Sequence, residues 1–269
     1  MILHPESIPP ATTSGFVPAW DAVGRAQAVQ AQTYKLIRQP DHAHLAGELV
    51  QHLSISGAPA LSDDIAYGIW AHDEGWAEFD SGSKKYEATP AIYSEEGVAL
   101  NDKGVPLTFF EVRPGDALVA WRASIDNAET VASIAGLIVS GHFHRLAKFG
   151  LAAGHYASED EGPVRSFLAD EEKRHERLMK LQSGTEEEVS YWTDVLRFCD
   201  LLSLYLCSGS GEAIEFPEHL GSNEETIRLR PIADAKEFSP SIFDRETEFV
   251  VTAYTFPGGT STALRLKVR

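Results

Sequence analysis

Cysteine is scarce in this chain: two residues in 269, Cys199 and Cys207. Both fall in one predicted helix, where eight residues span about 12 Å, beyond the reach of a disulfide. A disulfide-stapled secreted domain is thereby excluded. Long apolar runs are missing too. No stretch of about 18 apolar residues occurs, so no transmembrane helix is expected. The opening MILHPESIPPATTSG has no basic region followed by an apolar one, so no secretory signal is expected and a cytoplasmic location is. Basic residues are outnumbered, with 23 Lys and Arg against 40 Asp and Glu, a net charge of −17. Binding nucleic acid or an anionic membrane needs a clustered basic face. The acids instead form runs such as Glu159-Asp160-Glu161 and Glu186-Glu187-Glu188, which read as solvated surface. A small molecule is the expected partner, without nucleic acid or membrane, and a homo-oligomer stays open.

What is present suffices for a substantial core, since 43% of the chain is hydrophobic. Four prolines in residues 1–19 predict an extended arm, followed by a helix over Trp20–Gln32. Tyr34–Ile37 reads as a short strand. Pro40 opens a helix reaching Leu53. Ser62 or Asp63 caps the next, which stops at Gly75. Residues 81–116, rich in glycine and proline, predict a long lid or binding loop. The helical pattern returns over Ser124–Phe149, breaks across Ala153–Pro163, and resumes as a charged helix over Val164–Leu181. Thr185 with Glu188 is a capping-box signature for a helix reaching Cys207. Beyond Gly209, the segments Thr226–Leu229, Glu248–Tyr254 and Ala263–Val268 predict strands. These readings divide the chain into an arm and leading segment (1–33), a helical core (34–210) and a small β-rich extension (211–269).

The core contains an anomaly, the stretch GIWAHDEGWAEFD at residues 68–80. An apolar segment ends there in His72 and Asp73, although burying unpaired ionisable groups is costly. On a helix, Ile65, Ile69, His72 and Asp73 fall at i, i+4, i+7 and i+8, one inward face. The preceding helix aligns His42 with Leu45, Ala46, Leu49 and Leu53, while His44 points away. Further on, His142 follows Ala128, Ala135 and Val139. His144 shares a different apolar line with Leu137, which leaves the choice between these two histidines open. Asp200 shares its side with Val189, Trp192, Leu196 and Ser203, and a buried acid there needs a partner. Each residue alone has an ordinary account: a hydrogen-bonded core histidine, or Asp200 paired with Arg145. Together, on four helices, imidazole and carboxylate suit Fe, Mn or Zn, as one ion or two.

The order His42, His72-Asp73, His142, Asp200 resembles the HD-domain superfamily of metal-dependent phosphohydrolases. More closely, Gln39-x-x-His42-Ala43 with His72-Asp73-x-Gly75-Trp76 is similar to an uncharacterised bacterial branch of it, over about residues 34–210. The resemblance implies a mainly α fold, an HD-domain-like helical bundle, with the β-rich C-terminal extension outside it. It implies a first metal held by His42, His72, Asp73 and Asp200, with Asp73 bridging and His142 helping to hold a second. Glu74 is then the nearest acid for proton transfer, and Lys84, Lys85 and Arg145 are candidate phosphate contacts by neighbourhood. The implied function is hydrolysis of a small phosphorylated molecule. The same ligand set also serves di-iron oxygenases among the helical relatives, or a non-catalytic metal or ligand sensor.

Overall fold

The computed structural model describes residues 1–7, 15–220, 225–232 and 235–269. The expected extended arm lies outside the described residues at 8–14. Among the described residues the helices are α1 (Ala19–Gln27), α2 (Gln39–Gln51), α3 (Asp63–Trp70), α4 (Ala77–Asp80), α5 (Pro114–Val131), α6 (Ser133–Ala152), α7 (Ser158–Met179) and α8 (Glu186–Ser208). The strands are β1 (Ile2–Pro5), β2 (Val17–Pro18), β3 (Tyr34–Ile37), β4 (Ile92–Tyr93), β5 (Ala99–Leu100), β6 (Ile214–Glu215), β7 (Arg228–Ile232), β8 (Ala235–Ser239), β9 (Thr247–Phe256) and β10 (Ser261–Val268).

Local chemistry accounts for several helix boundaries. Proline at the first turns of α2 and α5 forfeits an N–H that would lack a helical partner anyway. Ser62 Oγ accepts from the Ile65 N–H at 3.3 Å to start α3, and Thr185 Oγ1 accepts from the Glu188 N–H at 3.2 Å to start α8. Gly209, at φ 71°, closes α8 in the left-handed conformation that glycine adopts without Cβ strain. The single helical pattern expected over Ser124–Phe149 is two helices. Ala132 is extended (φ −157°, ψ 146°), and α6 turns back to pack on α5. Neither proline nor glycine marks that break. Conversely, Pro163 does not keep α7 from starting at Ser158.

Eight strands form one curled sheet, in the order β1-β3-β9-β10-β8-β7-β6-β2. The β9–β10 hairpin runs in register from Thr247↔Val268 to Tyr254↔Ser261. On one side β9 pairs antiparallel with β3, and β3 with β1. At the far edge β2 runs parallel to β6. The sheet thus draws its strands from the two ends of the chain, residues 2–37 and 214–268, while β4 and β5 pair separately. With this large sheet beside 48% helix, the expected mainly α, HD-domain-like bundle with a small β extension is corrected. The physical reason lies in the short strands. β1, with three of its four residues buried, lacks the polar–apolar alternation that betrays a strand, β2 and β6 have two residues each, and β3, read as a strand, carries no local sign that it pairs with β9.

Helix α8 packs against α2, α6 and β1 and is buried from Trp192 to Ser208, save Asp194 and Arg197. No helix among the described residues is long and apolar enough to cross a membrane.

Candidate metal centre

Four elements deliver five titratable side chains to one buried point. Asp80 Oδ2 accepts from the Gln39 backbone N–H at 2.6 Å and anchors the start of α2, one turn before His42. Helix α3 ends at Trp70, so His72 and Asp73 stand in the turn that follows it, ahead of a short 3₁₀ turn over Glu74–Trp76. Leaving the helix there frees the two neighbours from the angular separation of about 100° that helical geometry imposes. Gly75 permits that turn. A Cβ at this position would lie 2.0 Å from the Ala120 carbonyl oxygen, and the Gly75 N–H donates to Ser124 Oγ at 2.9 Å. The Glu-Gly-Trp continuation therefore lets the turn press directly on α5. His142 comes from α6 and Asp200 from α8.

The distances are short. Asp73 Oδ2 lies 2.9 Å from His42 Nε2 and 4.0 Å from His72 Nε2. Asp200 Oδ1 lies 3.4 Å from His72 Nε2, and its Oδ2 is 3.6 Å from His142 Nε2. Two triplets, His42/His72/Asp73 and His72/His142/Asp200, each bring their ligand atoms within 4.8 Å of one another. All five residues are buried.

Hydrogen bonds behind the cluster decide which nitrogens face it. Ser203 Oγ donates to the Asp200 backbone carbonyl at 2.8 Å, so it accepts from His42 Nδ1–H at 2.8 Å. The lone pair of His42 Nε2 then faces the carboxylate of Asp73, acceptor against acceptor. His72 Nδ1–H donates to the Ile69 carbonyl at 2.7 Å, and His72 Nε2 has no hydrogen-bond partner. Both Nε2 atoms thus point into a space shared with two carboxylates. Positive charge must fill it, either protons or a metal cation. Bracing the far ring nitrogen in this way is how metal-ligating histidines are usually oriented.

The protonation states agree. Burial opposes charge on His72, yet Asp73 and Asp200 outweigh it and hold the ring at about 9. For His142, burial wins and pushes the ring down to about 3. Burial would raise the Asp200 carboxyl, but His72, His142 and His42 together hold it low.

The other candidate residues lie elsewhere. His144 stands 3.7 Å from Glu172 and outside the cluster, which separates it from His142. Glu74 is bonded to His44 at 2.6 Å and is not among the residues lining the cavity over the cluster, so its carboxylate is directed away from the reacting space assumed for it. Lys84 stacks its ammonium 4.9 Å over Phe79 and Lys85 lies 3.6 Å over Tyr93, and neither lines the cavity. Arg145 does line it, paired with Asp194 and donating to Ser190 at 2.9 Å.

That cavity, about 1090 Å³, reaches His42, Asp73, His142 and Asp200. Nine of its 31 lining residues are Phe, Trp or Tyr, among them Trp20, Phe110, Trp121, Phe143, Phe149 and Tyr156. Phe109 and Phe110 come from the segment read as a lid or binding loop, which Asp116 ties down by accepting from the N–H groups of Glu87, Ala88 and Thr89. Sequence reading missed Ser203 as a brace, Arg197 on the wall and most of the aromatic lining. Arg197 had a usable signal, standing three residues before Asp200 on the same helix face.

Fold and site together define an α+β protein with a buried His/Asp cluster opening into a cavity rich in aromatic residues. The model of the family described as "Protein of unknown function (DUF3891)" matches residues 28–257, and the chain belongs to that family. No curated protein and no solved structure matches it.

Proposed function

We propose that this protein is a metal-dependent hydrolase that acts on a small phosphorylated molecule through an HD-type His/Asp site. The observation that carries the reading is the pair of braced histidines, whose Nε2 lone pairs converge on Asp73 and Asp200 in a buried space that demands positive charge. His42, His72, Asp73 and Asp200 would hold one Fe, Mn or Zn ion. His142, sharing Asp200 and His72, would complete a second position. A divalent ion held there would supply a coordinated water of near-neutral pKa and would neutralise charge on a phosphoryl oxygen. The chain's own contribution is to fix the ligand orientations through Ser203 and Ile69, to exclude bulk water by burial, and to seat the substrate in the cavity.

One feature favours a second reading, that of a di-iron oxygenase. Aromatic residues on the cavity wall suit an apolar substrate better than a bare phosphate. The test is metal analysis of protein purified without chelator, followed by a phosphoester panel and oxygen-consumption assays with Mn²⁺, Fe²⁺ and Zn²⁺. Phosphate release that disappears with chelator and returns with metal is expected. Oxygen uptake without phosphate release moves the assignment to the oxygenase. Protein that takes up none of the three ions overturns both readings.

A further inference from the structure

Two arginines on the cavity wall sit one helical turn from the cluster. Arg145 follows His142 by three residues on α6, and Arg197 precedes Asp200 by three on α8, so each shares a face with a cluster member. They converge on Asp194: it accepts from Arg145, and Arg197 Nη1 stands 3.5 Å from it. Along the buried part of α8, Asp194 and Arg197 are the residues left half-exposed, and both arginine side chains keep about 30% of their surface open (32% and 29%).

The second acid near Arg197 is Glu218, at 3.4 Å, with a side chain 2% exposed and one oxygen lacking a hydrogen-bond partner. Burial outweighs Arg197 and pushes its carboxyl up to about 7, which makes it a weak counter-ion near neutral pH. Two guanidinium groups therefore share one good carboxylate. Fixed guanidinium pairs are suited to planar or tetrahedral oxyanions. The other wall acids, Asp21 and Glu215, belong to α1 and β6.

The rest of the wall asks for something different. Phe149 and Phe110 at the cavity are 65% and 49% exposed, and Trp121, Phe143 and Tyr156 line it further. A sugar phosphate or inorganic phosphate would leave this aromatic surface unused. A ligand that is apolar throughout would leave two guanidinium groups sharing Asp194 with only the buried Glu218 besides.

Resting on the reading of the cluster as a hydrolytic metal site, we infer that the substrate is an amphipathic organic phosphate: a flat aromatic or branched alkyl body held by the aromatic walls, with its anionic group on Arg145 and Arg197 beside the cluster. The volume of about 1090 Å³ accommodates such a molecule.

The test measures binding rather than turnover. Chelated full-length protein is titrated with 1-naphthylmethylphosphonate, 1-naphthalenemethanol and inorganic phosphate, following quenching of the tryptophans; Trp20, Trp76 and Trp121 line the cavity. The phosphonate should bind at least about tenfold more tightly than either fragment. Arg145→Gln and Arg197→Gln should each weaken the phosphonate about tenfold and leave naphthalenemethanol unchanged, with Arg197→Lys recovering part of the loss. Phe149→Ala, an exposed position that leaves the core intact, should weaken both naphthyl probes. Equal affinity for phosphonate and alcohol overturns the assignment, as do arginine variants that bind like wild type. Metal uptake is measured in parallel. Protein that takes up metal but fails the probe pattern overturns the substrate class alone, whereas the full pattern without metal uptake supports the wall assignment and overturns the hydrolytic reading.

Discussion

Replacing Asp200 with Asn separates a metal ligand from a scaffold residue. The two side chains are nearly isosteric, so packing changes little; what is lost is charge. In chelated protein Asp200 is the counter-ion 3.4 Å from His72 Nε2. His72 is held at about 9 by Asp73 and Asp200 against burial. A raised histidine contributes stability that is fully present below its unfolded value near 6.5 and is lost as pH rises through about 9. Deprotonating such a ring costs about 3 kcal/mol at pH 7, which bounds what Asn can remove through His72. Chelated Asp200→Asn should therefore unfold in urea with a deficit of about 2–3 kcal/mol near pH 6.5, narrowing towards zero above pH 9. Metal tests the other role. Wild type at 100 times its Kd for metal gains about 2.7 kcal/mol by linkage, and the variant should gain little and retain little metal. A variant with full metal content and a collapsed melting temperature would falsify the ligand role of Asp200. A deficit that grows with pH would refute the His72 argument.

Other expectations follow from single contacts. Gly75→Ala sets a methyl group against the Ala120 carbonyl, 2.0 Å from the Cβ position; a loss of at least about 1–3 kcal/mol is expected by thermal denaturation, with reduced metal content because the turn carries Asp73. Ser203→Ala removes the brace on His42 Nδ1, which should cost about 10–100-fold in metal affinity by competition titration while the protein still melts cooperatively. The net charge of −17 predicts no gel shift with duplex DNA at about 150 mM salt, and a tight complex under those conditions would contradict it.

Helical periodicity was the informative signal for the site. It aimed His42 and Asp200 inward because a buried stripe at a spacing of three and four residues is a property of one segment, readable without neighbours. The Thr185 cap was legible for the same reason, since its hydrogen bond closes within three residues. His72 and Asp73 were brought to the right place by a less accurate argument: their convergence comes from a turn beyond the end of α3, and that turn depends on how closely Gly75 approaches α5. His142 and His144 each had an apolar line. Packing of α6 against α8 decided between them, by setting His142 Nε2 3.6 Å from Asp200.

The sheet was least visible. β9 and β10 are long enough to alternate, whereas β1, β2 and β6 are four, two and two residues long and are strands because of what they pair with. Pairing of Ile2–Pro5 with Tyr34–Ile37, or of Val17 with Ile214, is nonlocal, so no local pattern announces it. By itself the sequence determined the chemistry available: five His and Asp residues at inward positions, little sulfur and an acidic surface. Tertiary structure decided which lone pairs meet, because ring tautomers are set by Ser203 and Ile69 from behind. It also decided that two arginines and a set of aromatic rings from distant segments share one cavity, since burial and cavity shape belong to the packed chain as a whole.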